Sequence, residues 1–85
     1  MLWIDTKYIN LISNKLQRFT KKSENLYNFR CPYCGDSQRN KFKARGYVYE
    51  LKGNLLYKCH NCSQGGNLGS LLEFVDQFVY NQYRL

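Results

Sequence analysis

Carboxylates are scarce in this sequence. Six Asp and Glu stand against thirteen Lys and Arg, a formal net charge of +7 with a pI near 9.4. The six acids are scattered, whereas phosphoryl transfer by two metal ions needs them clustered. A phosphate-cradling GxxxxGKS/T loop is missing, and Gly65-Gly66 reads as a turn before a helix. Glu73 and Asp76, three residues apart, are expected on the exposed side of an amphipathic helix. The chain alone is therefore expected not to catalyse. No apolar run approaches the ~20 residues of a membrane span. Met1-Leu2-Trp3-Ile4 meets Asp5 at once, so no secretory leader is expected. The implied home is a reducing cytosol. Eighty-five residues make one small domain over 1–85, and chains this short often need a metal or disulfides to stay folded.

Cysteine is the residue the chain does have in quantity. Cys31-Pro-Tyr-Cys34 and Cys59-His-Asn-Cys62 form two CxxC knuckles with 24 residues between them. Each knuckle converges two thiolates on one point, and two knuckles complete a tetrahedral zinc site with Zn–S near ~2.3 Å. Four protein sulfurs leave no open position, which marks one structural zinc ion rather than a catalytic one. The alternatives are two disulfides, as in small secreted proteins, or a redox CxxC pair. The absent leader and the pairing of all four cysteines favour the metal. Folding would then be coupled to metal binding.

The positive charge is concentrated. Residues 15–58 hold eleven of the thirteen basic residues and three of the acids, Glu24, Asp36 and Glu50. A basic centre built around a metal site favours a polyanionic partner, most often nucleic acid. The plainer alternative is a solvated, lysine-rich surface.

Ile4, Tyr8, Leu11, Ile12, Leu16 and Phe19 recur at helical steps, which predicts an amphipathic helix over 5–19. Asp5 or Thr6 suits its start, and Lys15 and Arg18 suit its end. Residues 20–25 read as a polar connector. Leu26 to Arg30 leads into the first knuckle as a short strand, and Gly35 can turn left-handed so that N–H groups face the sulfurs. Residues 36–41 read as a mobile loop. Arg45 to Leu51 alternates, Lys52-Gly53-Asn54 turns, and Leu55 to Lys58 returns to the second knuckle. The predicted ribbon spans 26–62. Asn67 is a good N-cap for a second helix over 67–82, with Leu68, Leu71, Leu72, Val75, Phe78 and Val79 as its core stripe. The expected fold class is a small α+β zinc-ribbon domain, an antiparallel hairpin sheet flanked by an N-terminal and a C-terminal helix.

His60 lies inside the second knuckle. It could replace a cysteine as ligand, contact a nucleobase at the knuckle tip, or be a histidine with no special role. The stretch from Lys41 to Tyr49 interleaves cations with aromatics, the combination by which single strands are held through phosphates and stacked bases. Tyr47 and Tyr49 could equally belong to a core short of aliphatic bulk. Lys41, Lys43 and Arg45 are the stronger candidates for phosphate contact, with Lys58 beside the second knuckle.

Taken together, Cys31-Pro-Tyr-Cys34-Gly35-Asp36-Ser37, the Lys41 to Tyr47 string, Tyr57-Lys58-Cys59-His60-Asn61-Cys62 and Gly65-Gly66-Asn67-Leu68 before an apolar helix resemble the zinc-binding domain of DNA primases. The bacterial pattern has His where this chain has Cys34. That departure and the Lys-Ala-Arg-Gly string resemble the primases of T-even-type bacteriophages. The resemblance covers about residues 26–80. It implies a non-catalytic module that binds single-stranded DNA template and helps select the primer start site. Zinc is then carried by Cys31, Cys34, Cys59 and Cys62, with His60, Lys41, Lys43, Arg45 and Lys58 as candidates for template contact. It also implies partners, a separate primase polymerase domain and a hexameric replicative helicase, in the cytoplasm of a phage-infected bacterium. A different class remains open, a ribbon that docks a protein of a replication or transcription complex through Tyr80, Tyr83 and Leu85.

Overall fold

The structure, a computed structural model, describes residues 2–36 and 39–85. Helix α1 (Leu2–Leu11) is followed by a 3-10 turn (Ser13–Lys15) and five strands: β1 (Thr20–Ser23), β2 (Leu26–Phe29), β3 (Gly46–Leu51), β4 (Asn54–Cys59) and β5 (Gly65–Asn67). Two helices close the chain, α2 (Leu68–Val75) and α3 (Gln77–Tyr83). The strands form one antiparallel sheet in sequence order, and helices lie at both ends of the chain, a zinc-ribbon-like α+β fold.

Register assigns the sheet's two faces. Tyr57 pairs with Val48, which pairs with Tyr27, and all three are buried. With Phe29, Leu55 and Cys59 they form the inner face, on which Ile9, Ile12, Leu71 and Leu72 pack. Rings replace aliphatic bulk along this core. Phe19 stacks on Phe29 with centroids 6.1 Å apart, Phe29 on Tyr57 at 5.6 Å, and Tyr33 lies 5.7 Å from Tyr57 and 4.2 Å from Phe74. Each such pair contributes about 0.5–1.5 kcal/mol beyond its buried area.

Several elements depart from the sequence reading. The first helix ends at Leu11, not at residue 19. Ile9, absent from the predicted stripe, is fully buried, whereas Leu11 is 48% exposed. The change to a 3-10 turn rotates the phase, so Ile12 and Leu16 still reach the core. Residues 20–23 of the expected connector form edge strand β1, whose side chains are all exposed. Its Lys21 and Lys22 and a register shift before Ser23 discourage pairing with another chain's strand.

The predicted second helix is two helices, broken at Asp76. That residue is extended (φ −155°, ψ 101°), and its carboxylate accepts from the N–H groups of Phe78 and Val79 to cap α3. Lys15 pairs with the other carboxylate oxygen. The Lys15 hydrogen bond, foremost, holds the Asp76 carboxyl below its ordinary value. The break turns Phe78 outward, 70% exposed, while Tyr80 and Tyr83 pack inward. Asn67 caps α2 by accepting from Ser70 N at 2.8 Å.

The β3–β4 hairpin closes through Lys52 and Gly53, both at positive φ (54° and 81°), the twist that favours two-residue turns. Gly46 sits where strand meets knuckle for a steric reason. A Cβ there would lie 2.7 Å from the Tyr57 hydroxyl and 2.9 Å from the Phe29 carbonyl oxygen. The carbonyl is backbone and cannot swing aside. Gly46→Ala is expected to cost about 1–3 kcal/mol through overpacking, read as a lower melting temperature. An unchanged melting temperature would show that β3 shifts freely.

Candidate metal centre and adjoining surface

The two knuckles are built alike. Gly35 N donates to Cys31 O at 3.0 Å, and Ser63 N donates to Cys59 O at 3.1 Å. Gly35 and Ser63 both take positive φ (73° and 67°), which reverses the chain after each pair of sulfurs. Asp36 N donates to Cys34 Sγ at 3.3 Å, and Asn61 N and Cys62 N donate to Cys59 Sγ at 3.2 and 3.4 Å. The Asn61 side-chain amide reaches across to Cys34 Sγ at 3.4 Å.

These turns bring all four Sγ atoms within 4.8 Å of one another. Cys31 and Cys62 sulfurs are 3.8 Å apart, and those of Cys34 and Cys59 are 3.9 Å apart. A tetrahedron with metal–sulfur bonds near ~2.3 Å has edges of about 3.8 Å, so four thiolates in this arrangement can hold a metal ion. All four cysteines are free, and these two sulfur separations are well beyond the roughly 2.05 Å of a disulfide. Burial pushes the Cys31 thiol up to about 12 despite the opposing Tyr57 hydroxyl. At Cys34, burial also works upward, but the Asn61 amide and the Asp36 N–H outweigh it and bring the thiol down to about 7. The Tyr57 hydroxyl is buried with no hydrogen-bond partner among the described residues. Burial, foremost, and the neighbouring Cys31 thiol push this hydroxyl above its ordinary value of 10. A thiolate-coordinated ion therefore fits this donor set.

Buried charge supports the centre from outside. Asp36 takes Arg45 N at 2.7 Å and Cys31 N at 3.4 Å on one oxygen, and Arg45 Nε at 3.1 Å on the other. Both ends of the β2–β3 connection are thus tied to one carboxylate. Of the loop expected over 36–41, Asp36 is anchored in this way, and Ser37 and Gln38 lie outside the described residues.

Over 86 aligned residues the chain is 33% identical to the DNA primase of Enterobacteria phage T4, an alignment covering 95% of this chain. The chain is homologous to part of a DNA primase. It spans 25% of the length of that relative, and the four-cysteine cluster is consistent with a primase zinc domain. No protein-family model matches the sequence.

The remaining candidates of this primase homologue divide by location. His60 is exposed at the knuckle tip, its ring edge-on to Tyr47 with centroids 5.1 Å apart. The metal-ligating group comprises the four cysteines and does not include it. Tyr47 pairs across the sheet with Lys58, and Tyr49 with Leu56. These four residues occupy the outer face and are half-buried, while the helices pack on the inner face. Lys58 donates to Ser63 O at 3.0 Å and keeps part of its side chain exposed. Lys41 and Lys43 are exposed on the β2–β3 connection, whereas Arg45 is committed to Asp36. Tyr80 and Tyr83 pack partly against the core, whereas Leu85, the third residue named for protein docking, is fully exposed.

Sequence reasoning missed Asp5, Asn28 and Arg30 as organising residues. All three are polar and buried, and their partners lie far away in sequence, where periodicity carries no signal.

No helix among the described residues is long and apolar enough to cross a membrane.

Proposed function

We propose that this chain is the zinc-bearing, non-catalytic module of a DNA primase, and that it binds single-stranded template and helps select the primer start site. The supporting observation is an outer sheet face left uncovered by helices. There Tyr47, Tyr49 and Lys58 lie side by side with His60 at the rim, and Lys41 and Lys43 stand on the adjoining connection. Half-exposed rings offer stacking surfaces for unpaired bases, and the lysines offer charge for phosphates. Arg45 enters as a residue that shapes this surface through Asp36. Zinc is the structural ion proposed for Cys31, Cys34, Cys59 and Cys62, since four thiolates in a closed tetrahedron suit it. Primer synthesis is assigned to a separate polymerase domain, and a hexameric replicative helicase is the further partner of the assembled primase.

The test is fluorescence anisotropy of the zinc-loaded chain with a panel of short single-stranded DNAs at two salt concentrations. Each neutralised phosphate contributes about −0.7 to the slope of log K against log salt. Binding that falls with salt and depends on a particular trinucleotide supports the proposal. Affinity insensitive to salt sinks it. The double substitution Lys41→Ala with Lys43→Ala is expected to reduce the slope by about 1.4 while the metal content stays unchanged. Metal loss in that variant would mean that the lysines serve the fold.

A further inference from the structure

Phe42 is 77% exposed, yet the turn that carries it is held from several sides. Lys43 N donates to Asn40 O at 3.2 Å, and Phe42 N donates to Asn40 Oδ1 at 2.9 Å. Beneath the turn lies Arg30, 8% exposed. Its Nη1 donates to Asn40 O and Lys43 O at 3.2 and 2.8 Å, and its Nη2 to Gly35 O at 2.7 Å. Asn28 Nδ2 adds a bond to Ala44 O at 2.8 Å. Burying a guanidinium is costly unless its N–H groups are bonded, and here those bonds define the shape of one turn. The result is an aromatic ring held out into solvent on a fixed support.

The Arg18 guanidinium lies 5.4 Å from the Phe42 ring centroid, within the range of a cation–π contact. Lys41 and Lys43 flank the ring in sequence, and Arg39 precedes Lys41 by two residues, all three exposed. Asn28 shares its row of the sheet with Tyr47 and Lys58, so the turn it holds adjoins the outer face. An exposed ring among phosphate-pairing cations is what stacking on an unpaired base requires. We propose that Phe42 is a nucleobase-stacking position for single-stranded DNA, held out by Arg30 and accompanied by Arg18. This inference rests on the template-binding reading above and extends the strand's path from the sheet face to the β2–β3 connection.

The test compares a short oligothymidylate with an abasic strand of the same length, using anisotropy with the zinc-loaded chain. Phe42→Ala is expected to weaken binding to the base-bearing strand about 5- to 100-fold. Its affinity for the abasic strand and its salt slope should match those of the unsubstituted protein, because the phosphate contacts remain. Phe42→Trp should retain affinity for the base-bearing strand. If Phe42→Ala binds both strands as the unsubstituted chain does, the stacking position is wrong and the template reading stands. Equal weakening on both strands also overturns it, since the ring would then act through the turn's shape. If the unsubstituted chain binds no single strand, the template reading falls and this inference falls with it.

Discussion

Cys59→Ser is expected to abolish the cooperative fold. Cys59 is fully buried at the end of β4, accepts two knuckle N–H groups, and places the second pair of sulfurs opposite the first. Structural zinc in small thiolate sites contributes about 10–16 kcal/mol of apparent binding free energy at neutral pH. A small domain has a net stability of only about 5–15 kcal/mol, so losing the ion removes a quantity as large as the whole. The core cannot compensate, because Cys31 and Cys59 are themselves part of it. The variant should contain no stoichiometric zinc, lose its near-UV circular dichroism and show collapsed amide chemical-shift dispersion. Chelation of the unsubstituted chain should do the same and reverse on adding zinc. His60→Ala is the control. Its ring lies on Tyr47 rather than among the sulfurs, so it should keep the metal and the fold. A chelated protein that still melts cooperatively would refute a structural metal.

Asp5→Ala carries the next largest effect. The Asp5 carboxylate is buried and accepts from Leu55 N at 2.9 Å and from the Tyr83 hydroxyl at 2.8 Å. One side chain thus ties α1 to the start of β4 and to the end of α3. Alanine leaves two donors without an acceptor, at about 1–3 kcal/mol each. A loss of roughly 2–6 kcal/mol follows, and in a domain of this size each kcal/mol lowers the melting temperature by about 4–8 °C. Asp5→Asn keeps an oxygen acceptor and should lose distinctly less. Equal melting temperatures for Asp5→Ala and the unsubstituted chain would mean that α1 docks through Ile9 and Ile12 alone. The same contact has a pH signature. Burial, then the Asp5 hydrogen bond, pushes the Tyr83 hydroxyl up to about 12 from its ordinary value of 10. The folded state therefore holds this proton more tightly than the unfolded chain. Its contribution is complete below pH 10 and declines as the pH rises toward 12. Tyr83→Phe should flatten that alkaline decline.

The four-cysteine cluster was legible in the sequence because its information is local. Two CxxC turns and a glycine after the first specify how four sulfurs converge, and the hairpin between them needs only alternation and Lys52-Gly53. Helix ends and phases were less legible. The apolar steps from Ile4 to Phe19 fit one continuous helix, yet a 3-10 turn after Leu11 exchanges Leu11 for Ile9 in the core. Asp76 looked like an exposed acid on a helix. Its N-cap bonds to Phe78 and Val79 are local, but its pairing with Lys15 emerges only when the 3-10 turn packs near it.

Single residue types and short spacings determined by themselves that this chain gathers four cysteines able to hold a metal ion, carries its positive charge between residues 15 and 58, and resembles primase zinc-binding domains in motif order. The tertiary structure alone decided which face of the sheet stays open, that Arg45 is drawn onto Asp36, and that Arg30 holds out Phe42. The reason is physical. Thiolate geometry and turn formation act over a few bonds, whereas burial of a charge is settled by whichever distant partners the completed fold brings within hydrogen-bonding reach.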